Sequence, residues 1–253
     1  MASSLLLLSH RRSLLWKLPL LEGFAEGISY GFTPPHPPPE KSETEGYDAS
    51  EARESLTGVG VWGPRLFKII TRSVQLYETY LILYDLFPTF HNLPIPAYLR
   101  PSPWTLSQIP NLRTSPSFAI GVALVCLGAY IRVLCFRHLG KQFTFQLSIR
   151  KDHHLITSGP YSIVRHPSYA GGVVQIIGMI LCLAGPSSWF KEIGVHTLPG
   201  KVVGTLVGLV IALGTYGGIA RTFKEDVVLK NTFKEEWEEW AKKTPYRLFP
   251  YIF

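Results

Sequence analysis

Three apolar stretches, 117–136, 170–190 and 202–220, hold no acidic residue and one basic residue, Arg132, and they constrain the fold more than any other feature. At about 1.5 Å rise per residue, about 20 helical residues cross a hydrocarbon layer of about 30 Å, so each stretch is long enough to span a bilayer. Inside lipid a backbone must satisfy its own N–H and C=O groups, which leaves the helix as the spanning form for isolated stretches. Buried helices of a large soluble protein are the competing reading. With 46% apolar and 17% charged residues in 253, the composition favours the membrane. The expected fold class is therefore all-α, a multi-spanning transmembrane helical protein. Gly204, Gly208 and Gly214 on the third stretch are expected to permit close helix packing in lipid. Arg132, near the end of the first, is expected to snorkel to the headgroups.

The remaining sequence is organised around these spans. Residues 1–57 read as an N-terminal segment and linker, and residues 58–253 as the membrane domain with its core at 142–253. Leu5 to Leu8 form a short apolar run with His10, Arg11 and Arg12 after it, the reverse of a cleaved secretory signal, and Lys17 and Pro19 break the run that follows. An anchoring or targeting segment and the remnant of a transmembrane helix are the readings left there. Residues 33–54 are a proline cluster passing into an acidic, polar stretch, which predicts an extended solvated linker. Residues 66–90 predict an imperfect span, because Lys68, Arg72, Glu78 and Asp85 interrupt it before Pro88. Recurrent prolines from Pro94 to Pro116 predict a loop at the membrane surface. Cys126, Cys135 and Cys182 are expected to be free, buried thiols.

Charge sets the orientation. The net charge of +7 does not form one basic face, as nucleic-acid binding would require, but flanks the apolar stretches. Arg137, Lys141, Arg150, Lys151 and Arg165 lie between the first two spans. Arg221, Lys224, Lys230, Lys234, Lys242, Lys243 and Arg247 follow the third. Two spans separate these regions, so both face one side, and the positive-inside rule makes that side the cytosol.

Two clusters carry chemistry. The first is QLSIRKDHHLITSGPYSIVRHPSYAGG, where Gly159 and Pro160 predict a turn and Pro167 fits the first position of the next helix. His166 and Arg165 then sit beside exposed backbone N–H groups at the positive end of a helix dipole, a place for an anionic ligand group. The competing reading makes Arg165, His153 and His154 headgroup contacts, with Tyr161 and Tyr169 in an aromatic belt. A metal site is not expected, because adjacent His153 and His154 diverge on a helix and no Cys or carboxylate set completes a coordination sphere. The second cluster, RTFKEDVVLKNTFKEEWEEWAKKTPYRLFPYIF, predicts a helix continuing to about Lys243 and stopped before Pro245. Arg221 and Glu225, four apart, share one face just outside the membrane, as an ordinary ion pair or as a substrate cation beside a carboxylate. Glu235, Glu236, Glu238 and Glu239 read as a solvated face, with Trp237 and Trp240 at the membrane interface.

Taken together, His153 with Leu155 to Tyr161, Arg165-His166-Pro167-Ser168-Tyr169, and Arg221 with Glu225 resemble the isoprenylcysteine carboxyl methyltransferase family over roughly 142–253. The combination is specific, whereas Arg-His-Pro alone also occurs in phospholipid methyltransferases and sterol reductases. The resemblance implies S-adenosyl-L-methionine held in a cytosolic-face cofactor site by Gln146, His153, His154, Leu155, Ile156, Tyr161, His166, Pro167, Ser168, Tyr169 and Glu225. It implies Arg221 as the substrate-binding residue, and Arg221 with Glu225 as the catalytic pair. It also implies an endoplasmic reticulum membrane location. The implied reaction is methyl esterification of the carboxylate of a C-terminal prenylcysteine on prenylated proteins, without nucleic acid or metal. Two departures stand out: the Phe-Gly pair usual after the Arg-Glu helix is Phe233-Lys234, and the N-terminal spans are short. The alternatives are a phospholipid amine methyltransferase, which would have to deprotonate an ammonium, and a non-catalytic prenyl-binding membrane protein.

Overall fold

The computed structural model describes residues 2–33, 35, 59–143 and 154–252, and no strand occurs among them. Among the described residues, eight α-helices run in the order α1 (Ala2–Gly31), α2 (Val59–Leu86), α3 (Pro103–Gln108), α4 (Pro116–Leu139), α5 (Pro167–Ala184), α6 (Trp189–Glu192), α7 (Leu198–Phe233) and α8 (Glu235–Lys243). Among the described residues, three segments are long and apolar enough to cross a membrane: Pro116–Leu139, Pro167–Glu192 and Leu198–Phe233. These contain the three apolar stretches, and the all-α, multi-spanning class holds. Pro167 opens α5 as its spacing predicts, and Gly185 and Pro186 end it. The proline-rich 94–116 region is not plain loop: Ser102 caps the short α3 by accepting from the Thr105 N–H at 3.1 Å.

Two compact units divide the fold, and the chain passes between them inside each of α1, α2, α4, α5 and α7. The first comprises Met1–Ile28, Lys68–Cys126 and Ile176–Leu209. Close backbone approach joins α4 to α5 here: a Cβ on Gly121 would lie 2.7 Å from the Gly178 carbonyl oxygen, and one on Gly178 would lie 2.5 Å from that of Gly121. Lys17, which seemed to break an apolar run, is fully buried on α1. Its ammonium pairs with Glu78 of α2, donates to the Ser187 carbonyl and stands 4.7 Å above the Phe118 ring. Glu78 also accepts from the Trp189 N–H at 3.3 Å. Lys17 of the 1–31 segment and Glu78 of the 66–90 segment thus neutralise each other.

The second unit comprises Ser29–Phe67, Leu127–Gln175 and Val210–Phe253. Again α4 meets α5 through glycine, with Gly128 against the Gly171 carbonyl. Arg132 does not snorkel. It is 8% exposed and turns inward, donating from Nε to the Gly31 carbonyl at 2.6 Å and from Nη1 to the Ser168 carbonyl at 3.0 Å. Gly31 ends α1, so the guanidinium satisfies a carbonyl the helix itself cannot. The glycines expected to pack α7 do not do so together: Gly204 is covered by the Phe190 ring, but Gly208 and Gly214 face open space. No residue of the most apolar stretch of α7 is buried. The thiols are unpaired as expected, with Cys135 and Cys182 buried, but Cys126 is exposed.

The helix expected to run to Lys243 breaks at Lys234, whose φ of 48° and ψ of −113° turn the chain into α8. Trp240 on α8 is not interfacial but buried with Tyr161 and Cys135, while the four glutamates of that helix are exposed as expected.

Candidate functional site

The 36 residues of α7 extend about 54 Å at 1.5 Å per residue. Its apolar stretch ends at Ala220, so the last turns project beyond any hydrocarbon layer of about 30 Å. On the first of these turns, Arg221 and Glu225 meet, with Nε 2.8 Å from Oε1. The same Glu225 oxygen accepts from the Tyr169 hydroxyl at 2.7 Å. His166 places Nδ1 3.4 Å from the other Glu225 oxygen. The structure thereby brings together four of the residues the sequence singled out, across 56 residues of chain between Tyr169 and Glu225.

His166 has a second acceptor, since its Nε2 lies 2.9 Å from Oδ1 of Asp226. An imidazole can donate from both nitrogens only when protonated. Burial opposes the charge most strongly, but hydrogen bonds and charge from Asp226 and Glu225 outweigh it and raise the His166 pKa above its ordinary value. Asp226 also takes Arg165, at 3.3 Å from both Nε and Nη2, and Arg247, at 3.0 Å from Nε and 2.9 Å from Nη2. Four positive groups, Arg165, His166, Arg221 and Arg247, therefore surround two carboxylates.

The other expected site residues are placed separately. Gly159 has a φ of 60°, which glycine adopts at little cost, and a Cβ there would strike the His138 ring. The turn it makes buries Tyr161, whose carbonyl accepts from the Trp240 indole N–H at 3.0 Å. Burial holds the Tyr161 phenol well above its ordinary pKa, so it stays neutral. Leu155 and Ile156 pack on this Tyr161, Cys135 and Trp240 cluster. His154 is exposed and its ring meets the Gln142 amide at 2.7 Å. Pro167 and Ser168 are buried in the first turn of α5, and Ser168 offers its carbonyl to Arg132 instead of a side chain to the cluster. Gln146 and His153 lie outside the described residues.

The sequence profile of the isoprenylcysteine carboxyl methyltransferase family matches residues 121–192. Among curated proteins, the chain is 27% identical over 153 residues to the protein-S-isoprenylcysteine O-methyltransferase of Schizosaccharomyces pombe, covering 56% of this chain and 57% of that one. It is 36% identical over 70 residues to protein-S-isoprenylcysteine O-methyltransferase B of Arabidopsis thaliana, covering 27% of this chain and 36% of the relative. With the Saccharomyces cerevisiae protein-S-isoprenylcysteine O-methyltransferase it shares 38% over 80 residues, or 31% and 34% of the two chains. Over these stretches the chain is similar to the isoprenylcysteine carboxyl methyltransferase family. It spans between about a third and just over half the length of these relatives. No solved structure matches it.

The family segment contains Tyr161 and His166 to Tyr169 but stops before α7, so Arg221, Glu225 and Asp226 are joined to it only by the geometry above. Sequence reading passed over Asp226 and Arg247. Their one local signal was that Asp226 follows Glu225 directly and that Arg247 stands in an aromatic tail.

Proposed function

We propose that this chain catalyses S-adenosyl-L-methionine-dependent methyl esterification of the carboxylate of a C-terminal isoprenylcysteine, at the cytosolic face of the endoplasmic reticulum membrane. The observation that carries this reading is the excess of positive groups at the cluster, four around two carboxylates, just beyond the apolar end of α7. Such a surplus attracts an anionic substrate and repels the ammonium that a phospholipid amine methyltransferase must accept.

The donor set fits the proposed cofactor. Glu225, with its side chain 21% exposed, can face a sulfonium, and Leu155, Ile156 and Tyr161 offer apolar and aromatic surface nearby in sequence to the His166 turn. When bound, S-adenosyl-L-methionine supplies a methyl group on a positively charged sulfur that leaves with the bonding electron pair. Arg221 orients the substrate carboxylate, which is already ionised near pH 7 and needs no general base. Tyr169 and His166 hold Glu225 in place. Fixing two reactants in this way can lower a barrier by about 7 to 11 kcal/mol in favourable cases. The prenyl chain is retained from the bilayer side at about 0.8 kcal/mol per buried methylene, along the unburied face of α7. Residues 58–253 form the methyltransferase domain in this reading, with its core at 142–253.

Membranes containing the chain, incubated with methyl-labelled S-adenosyl-L-methionine and N-acetyl-farnesylcysteine, should yield a base-labile labelled methyl ester. Label recovered in methylated phosphatidylethanolamine would redirect the assignment to a lipid amine. Prenyl binding without any transfer would make the chain a non-catalytic binder.

A further inference from the structure

Asp226, which nothing above assigns to the reaction, is enclosed by charge. It is 5% exposed, too enclosed to meet a substrate itself, and three cations converge on it. His166 links it to Glu225, and Arg165 and Arg247 link it to the C-terminal segment. That segment is tied again by backbone: the Arg165 N–H donates to the Tyr246 carbonyl and the His166 N–H to the Arg247 carbonyl, both at 2.9 Å. Arg165 Nη1 adds bonds to the Thr244 and Pro245 carbonyls at 3.1 and 2.7 Å. The Arg247 guanidinium lies 3.8 Å above the Phe223 ring. Segment 244–248 thus closes over the start of α5, and Asp226 is the common anion of the closure.

We propose that Asp226 is a positioning residue, which fixes the Glu225 carboxylate through His166 and latches segment 244–248 onto the start of α5 through Arg165 and Arg247. The role in turnover rests on the methyl-transfer reading, whereas the latch does not. A consequence for the site is that both ring nitrogens of His166 are spent on protein carboxylates, so its imidazole acts behind the site and is not a ligand for the cofactor. The charged groups around that imidazole are Glu225 and Asp226 of α7, with Tyr169 of α5 beside the ring, Arg165 and Arg247 on Asp226, and Arg221 on Glu225. Removing the Asp226 charge strips the imidazolium of one of its two stabilising anions.

The test uses the full chain in lipid nanodiscs and the Asp226→Asn variant. Hydrogen exchange of the amides at 165 and 166 should become about tenfold faster. The KM for S-adenosyl-L-methionine should rise about tenfold with kcat changed much less, and the alkaline limb of the activity profile should move down by about one pH unit. Arg247→Ala should reproduce the faster exchange and Arg247→Lys only part of it, which keeps the test available if Asp226→Asn folds poorly. Lys230→Ala, which breaks the exposed Lys230–Glu238 pair at 3.1 Å, should change none of these readouts. Unchanged exchange in both Asp226→Asn and Arg247→Ala overturns the latch, whether or not the wild-type chain transfers methyl groups. Faster exchange with an unchanged KM overturns the positioning role. A wild-type chain without transfer whose variants still exchange faster would sink the methyl-transfer reading and leave the latch standing.

Discussion

Arg221 pairs with Glu225 through a short contact, Nε to Oε1 at 2.8 Å, with the two side chains 17% and 21% exposed. A guanidinium presents a planar fork that grips a carboxylate in two places, and an ammonium cannot, so Arg221→Lys keeps the charge but loses the geometry. Arg221→Ala should lower kcat/KM for N-acetyl-farnesylcysteine by about 100-fold, the scale of removing one donor from a preorganised site, with Arg221→Lys recovering only part. Equal turnover in all three proteins would remove Arg221 from the site. His166 predicts a pH dependence of stability as well. Its folded pKa is raised, so the stabilisation from Glu225 and Asp226 is complete below the unfolded value of about 6.5 and is lost as pH rises through the folded value. Thermal melting in detergent should show a decline in Tm on the alkaline side of that window, and His166→Gln should flatten it. His166, Tyr169, Arg221 and Glu225 were legible in the sequence because short motifs set their spacing. Asp226 and Arg247 were not, because what defines them is a partner 60 residues away for the Asp226–His166 pair and 21 residues away for Arg247.

At the scale of the element, the break between α7 and α8 shows where local sequence and conformation disagree. Lys234 holds a φ of 48°, a region in which L side chains crowd the backbone and glycine does not. The resemblance in the sequence puts glycine at this position. Lys234→Gly should therefore raise stability by about 1 kcal/mol, read as an increased Tm, whereas Lys234→Ala should give no gain. A loss of stability in Lys234→Gly would mean that the lysine side chain contributes more than its backbone costs. The helices themselves were readable from apolar length. Their partners were not: Arg132 looked like a snorkelling residue by its place near a helix end, yet two carbonyls, of Gly31 and Ser168, draw it inward. Composition equally marked the glycines of α7 as packing residues, while the close approaches fall at Gly121 with Gly178 and Gly128 with Gly171. Small residues permit contact, but which helix arrives is decided by the whole chain.

For the whole molecule, the informative case is the N-terminal segment, whose charges made it read as a poor membrane element. Lys17, Glu78 and the Ser187 carbonyl come from three segments of one compact unit, and none would be tolerated alone in an apolar interior. Hydropathy counts each charge against its own helix and cannot register that two charges on different helices cancel. Energetically, a buried pair is costly to break and often inexpensive to replace, because desolvation has already consumed most of its attraction. Lys17→Met or Glu78→Leu alone should each destabilise the unit by about 3 to 5 kcal/mol by leaving an uncompensated buried charge. The double variant should regain most of that loss, and should retain the Trp189 and Phe118 packing because the volumes are similar. Tm and expression level for the four proteins of this cycle would measure the coupling. Additive losses would show that the pair acts through separate contacts, and a fully recovered double variant would show that the charges specify which segments meet more than they stabilise the meeting.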